Sequence, residues 1–173
     1  VSRRLELADA SVPLPEADGS VDEVVLERVL VWSADPAALV AEVHRVLVPG
    51  GRALVTEPDY HAVVEHPPGA GIHGLVAGVM RKAGADPAVG RRLRELFPPP
   101  LWSTELHLNP IDPEPGPAGE ALEDLIRDAR EVLSPAVDGK VLERWESEVR
   151  AASARGTLLV YLPLFSLVAT KRG

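Results

Sequence analysis

Residues 33–60, SADPAALVAEVHRVLVPGGRALVTEPDY, constrain the fold more than any other stretch of the chain. Asp35 is placed to cap a helix, and Pro36 suits its first position, where no N–H is needed. Leu39, Val40, Val43, Val46 and Leu47 then recur at the three-four spacing of a buried helical stripe. Pro49-Gly50-Gly51 stops that helix, because Pro cannot continue it and Gly accepts the positive φ of a cap. Residues 52–56 (RALVT) read as a strand closed by Glu57-Pro58-Asp59. Just upstream, residues 21–32 contain VVLERVLVW, apolar enough for a central strand that ends at Glu27 and Arg28. Strand, helix and strand in this order predict two parallel neighbours joined by a helical crossover, and hence an α/β fold.

The flanking segments extend this pattern. Residues 4–8 (RLELA) alternate as a short strand ending at Asp9-Ala10, and a turn-rich loop with Pro13, Pro15 and EADGS follows. Leu75, Val76, Val79 and Met80 suggest a helix, residues 89–97 a second, and residues 103–108 (STELHL) a strand. A proline-rich loop leads to amphipathic helices over 118–133 and 138–154, capped at the end by Gly156. The chain finishes in a strand over 164–171, with Pro163 restricted to its start or to a sheet edge. With no repeat and no flexible linker, residues 1–173 are expected to form a single domain, with 110–156 as a helical insertion before the last strand.

Charge and composition narrow the function. A net charge of −8 argues against a broad nucleic-acid surface or anionic-membrane surface. The absence of cysteine removes disulfides, thiolate metal sites and cysteine nucleophiles, and fits a cytoplasmic setting. The longest apolar run, 158–169, is interrupted by Pro163 and Ser166 and is too short for a bilayer, so no membrane span is expected. His61, His66 and His73, with Asp59 and Glu65, lack the spacing of a metal site, and none is expected. GAGIHG at 69–74 imitates a dinucleotide loop, but Pro67 and Pro68 break the strand that would have to feed it. No G-x-S-x-G elbow is present.

Three pieces together resemble the second half of a class I S-adenosylmethionine-dependent methyltransferase, of the small-molecule group that includes ubiquinone and menaquinone biosynthesis enzymes. They are LADA…PLPEADGSVD near the start, HRVLVPGGRALV in the middle, and LFSLVATKRG at the end. The resemblance implies a partial doubly wound, Rossmann-like mixed sheet. That sheet is expected to be mostly parallel, with an antiparallel C-terminal strand and helices on both faces. It implies methyl transfer from S-adenosyl-L-methionine to a small-molecule acceptor. The family's glycine-rich loop would lie upstream of anything matching residues 4–10. The chain is therefore expected to be N-terminally truncated and to bind the cofactor weakly by itself.

Carried over by the resemblance, Asp9 would accept from the adenine amino group and the Ala10 N–H would meet the ring. Glu27 and Arg28 would face the methionine part of the cofactor, while Trp32 stands where many relatives have His. Asp59 and Tyr60, after the next strand, would face the substrate. If the acceptor must lose a proton, His61 or Glu57 would take it. The strand within residues 21–32, left with a bare edge if the family's first two strands are missing, predicts one of three outcomes: direct pairing with residues 4–8, a homodimer, or a complementing N-terminal half. The last two belong also to a second reading, a non-catalytic methyltransferase-like module that dimerises through that edge.

Overall fold

The computed structural model describes residues 13–66, 72–109 and 119–173. The expected strand over 4–8, together with Asp9 and Ala10, lies outside the described residues. In chain order the elements are β1 (Val21–Glu27), α1 (Pro36–Val46), β2 (Leu47–Pro58), β3 (Val64–His66), α2 (Ile72–Lys82), α3 (Leu93–Leu96), β4 (Trp102–Asn109), α4 (Glu120–Leu133), α5 (Gly139–Ala154), β5 (Leu159–Tyr161) and β6 (Leu164–Lys171). Short 3-10 turns lie at Leu30–Trp32 and Val89–Arg92.

The central unit forms as its residues dictate. The Asp35 carboxylate accepts from the Ala38 N–H at 2.9 Å, and Pro36 opens α1. At the other end, the Lys171 ammonium donates to the carbonyls of His44 and Leu47, each at 2.7 Å. It thereby satisfies helix-end acceptors that would otherwise lack a partner. Pro49-Gly50-Gly51 does more than stop the helix. Strand pairing jumps from Val21 opposite Leu47 to Glu23 opposite Arg52, so the tripeptide is a bulge inside a strand that begins earlier than residue 52. Gly50, at φ +79°, supplies the left-handed turn within it.

The main sheet has the order β1-β2-β6-β4. β1 and β2 are parallel, whereas β6 runs antiparallel to both β2 and β4. One face carries Leu26, Ala53, Val55, Leu167 and Ala169, all buried in one core with Leu39, Val40 and Val43 of α1 and with Val89, Leu93 and Phe97. Val25, Leu54 and Val168 alternate onto the opposite face and belong to neither hydrophobic cluster; Val25 is 64% exposed. Among the described residues, then, the core covers one face of the sheet, where helices were expected on both. β1, which reads as a central strand from its valines, is the outer strand of the described sheet.

A second layer is built from α4 and α5. Leu122, Ile126, Leu133, Leu142, Trp145 and Val149 form their own cluster, with Val76 and Val79 of α2 packed against it. This layer therefore draws on α2, outside the 110–156 segment expected to form it. β3 and β5 pair as a separate antiparallel ribbon. Residues 89–97, expected as a helix, are a 3-10 turn followed by the single turn of α3. The cause is contact with β2: a Cβ on Gly90 would stand 2.8 Å from the Pro58 carbonyl oxygen and 2.9 Å from that of Glu57.

Candidate functional site

The parallel pair brings the ends of β1 and β2 to one rim. Its organising group is Glu57, the last but one residue of β2, with no exposed surface. Glu57 Oε1 accepts from the N–H groups of Val29 and Leu30, at 2.9 and 2.7 Å, and Oε2 from that of Val31 at 3.3 Å. One carboxylate thus gathers the backbone that leaves β1 and starts the following 3-10 turn. Burial pushes the Glu57 carboxyl above the usual range, although the three N–H bonds and the charge of Arg28 pull the other way. Of the two base candidates, Glu57 has both oxygens committed to structure.

The turn held by Glu57 shapes the tip of β1. Arg28 has φ +54° and donates its N–H to the Thr56 carbonyl at 2.9 Å. Left-handed backbone at a residue other than glycine is uncommon and persists where its surroundings enforce it. Glu27 and Arg28 are both exposed at this tip. Trp32, 58% exposed, ends the turn.

Past β2, Asp59 is buried to 1% exposure and ion-paired through Oδ2 to the Nε of Arg91. Its Oδ1 accepts from the His61 N–H at 3.0 Å, so the carboxylate folds the 59–61 turn onto itself. Tyr60 is half-buried against the core; burial raises its phenol above the usual range, with Arg28 opposing and Glu57 reinforcing the shift. His61 is exposed, its Nε2 3.4 Å from Nη1 of Arg81. Glu57, Asp59, Tyr60 and His61 therefore do share one rim with Arg28. Arg81 and Arg91 were not singled out in the sequence. The signal available was indirect: an aspartate ending a buried strand needs a counter-charge from somewhere.

His73 and Glu65, part of the discounted histidine cluster, meet at 2.5 Å between Nδ1 and Oε2. Among the described residues no group of three or more ligating side chains could hold a metal ion. No helix among the described residues is long and apolar enough to cross a membrane.

A parallel β-α-β unit with polar groups gathered at its strand tips, closed by an antiparallel pair, defines the class: a Rossmann-like fold of the methyltransferase type. Residues 2–55 match the methyltransferase-domain family. The chain is thereby recognised as methyltransferase-like in both its N-terminal sequence and its described fold. It is 38% identical over 93 residues to an uncharacterized 37.1 kDa protein in transposon Tn4556 of Streptomyces fradiae, covering 53% of this chain. It spans only 27% of that relative's length. The YcgJ protein of Bacillus subtilis superposes with a TM-score of 0.57 at 15% identity, over 98% of this chain and 71% of that one. A putative methyltransferase from Bacillus halodurans gives 0.54 at 12% identity, over 95% and 75%. Phosphoethanolamine N-methyltransferase 2 of Haemonchus contortus, solved with S-adenosylhomocysteine, gives 0.53 at 15%, over 96% and 37%. At these identities the likeness is one of fold.

Proposed function

We propose that this chain forms the acceptor-side part of an S-adenosylmethionine-dependent methyltransferase acting on a small molecule. The observation that carries the reading is the Glu57 carboxylate gathering Val29, Leu30 and Val31, which fixes Glu27 and Arg28 outward at the tip of a parallel pair.

That tip suits the amino-acid end of the cofactor. An exposed carboxylate at Glu27 can accept from an α-ammonium, and the Arg28 guanidinium can pair with an α-carboxylate. Asp9 and Ala10 would hold the adenine. When bound, the cofactor supplies a methyl group on a positively charged sulfur. The residues at the rim would hold the acceptor's lone pair in line with that methyl carbon, opposite the sulfur that would leave with the bonding electron pair. The protein's part is alignment and exclusion of water. Tyr60 lines the acceptor's approach, the buried Asp59 acts there only by holding Arg91 and the 59–61 turn, and His61 takes a proton from any acceptor that must lose one. Glu57 is a positioning residue in this scheme.

Calorimetric titration with S-adenosylmethionine tests the proposal. Binding is expected to weaken in Asp9→Ala and in Glu27→Ala. Binding unaffected by either substitution would overturn the residue assignments. A second reading, a non-catalytic module that associates with itself or with a complementing half, is favoured by one observation. The outer edge of β1 has no partner strand among the described residues, and Val25 beside it is exposed.

A further inference from the structure

We infer that the 59–61 turn, with Arg81 and Arg91, is a subsite for an anionic group, carboxylate or phosphate, carried by the methyl acceptor. The word acceptor rests on the transferase reading; the anion site rests on the geometry alone.

The chain is acidic overall, with 26 Asp and Glu against 18 Lys and Arg. At this turn the balance is reversed, because the local carboxylates are spent on the protein itself. Glu57 is sealed onto three backbone N–H groups. Asp59 is buried between the His61 N–H and Arg91 Nε. Asp86 holds the Ala88 N–H at 3.0 Å and Arg92 Nη1 at 2.6 Å. At the 59–61 turn the charged or titratable groups left facing solvent are Arg81, Arg91 and the imidazole of His61, with Arg28 and Glu27 exposed together at the neighbouring tip of β1.

Arg91 is less fully engaged than Arg45, Arg92 and Arg150. Arg45, Arg92 and Arg150 each engage Nε and both terminal nitrogens with acidic or carbonyl oxygens. Arg91 is 50% exposed and is anchored only through Nε among the described residues, by a carboxylate that is itself buried. Its two terminal nitrogens are thus presented from a fixed base. A planar guanidinium offering two parallel N–H groups matches the oxygen pair of a carboxylate or phosphate. Anchoring the side chain in advance lowers the ordering cost of binding. Arg81 reaches the same turn through His61, its Nη1 3.4 Å from the imidazole Nε2, and brings a second guanidinium to the 59–61 segment. Arg28 acts electrostatically on neighbouring Tyr60 and Glu57 and adds to the positive field.

The test is titration of the whole chain with inorganic phosphate and, separately, with acetate, followed by amide NMR shifts. Saturable shifts at residues 59–61 and 91 are expected, and the tighter of the two anions identifies the group. Arg81→Gln leaves the Asp59–Arg91 pair intact and should weaken binding about tenfold, the order of one charge-assisted hydrogen bond. Arg127→Gln, on the exposed face of α4, should leave it within about twofold, as expected for an exposed pair. Absence of saturable binding, or equal weakening by Arg81→Gln and Arg127→Gln, would overturn the inference. No cofactor enters the titration, so failure of S-adenosylmethionine to bind would count against the transferase reading and leave this result standing.

Discussion

Glu57 shows how a single side chain can carry the geometry of the rim. Its carboxylate accepts from Val29, Leu30 and Val31, and Leu30 and Val31 are themselves buried. Glu57→Ala would strand those donors and should cost about 3 kcal/mol in urea unfolding. The pH dependence follows from the raised carboxyl. With its folded value above the unfolded one, near 4.5, the group binds more protons in the folded state between the two. Its stabilising contribution is full below about 4.5 and is lost as pH rises through the folded value. Glu57→Gln should flatten that part of the stability–pH curve; an unchanged slope would contradict the assignment. His44 offers the converse. Its Nε2 is buried without a hydrogen-bond partner among the described residues, and burial together with the Lys171 charge holds the imidazole below its usual range. His44→Phe keeps the edge contact with Trp102 in kind and removes the stranded polar atom. It should raise stability by about 1 kcal/mol, read as a higher urea midpoint. At this scale the sequence marked candidate residues but not their structural partners. Glu57, Asp59, Tyr60 and His61 stood out because they follow a strand. That Glu57 serves β1 and that Asp59 recruits Arg91 depends on partners about thirty residues away in sequence, which local pattern does not encode.

Elements with strong local chemistry were legible. The spacing of Leu39, Val40, Val43 and Val46 with the Asp35-Pro36 start defines α1, and alternation defines β4. Elements fixed by tertiary contact were not. β3 and β5 are three residues each, too short to show a period, and exist through each other. The 89–97 segment has helical spacing, yet Gly90 must lie against the end of β2, and the chain tightens into a 3-10 turn to allow it. The two nearest atoms a Cβ would strike are backbone oxygens, with Phe165 Cδ2 next at 3.0 Å, so relief requires the strand or the turn to move. Gly90→Ala should therefore destabilise by about 2 kcal/mol, within the range for overpacking, and shift the amides of Glu57 and Asp59. Thermal melting together with amide spectra would show both, and a neutral substitution would remove the close approach from the account.

The whole molecule is asymmetric. A core of α1, the 89–97 segment and the sheet covers one face, and the α4–α5 layer keeps a separate core. The other sheet face, with Val25, Leu54 and Val168, lies outside both cores, and no described strand pairs with the outer edge of β1. If that edge serves association, Val25→Lys should lower the mass seen by light scattering at high protein concentration. Equal masses for both proteins would remove the self-associating reading. The claim on which the functional account turns is that the tips of β1 and β2 receive an adenosyl cofactor. The most direct measurement is titration of the isotopically labelled chain with S-adenosylhomocysteine, mapped by amide shifts. The account predicts perturbations centred on Asp9, Glu27–Val31 and residues 59–61. Shifts confined to the opposite end of the strands, around the Pro49-Gly50-Gly51 bulge and Ser103, would contradict it.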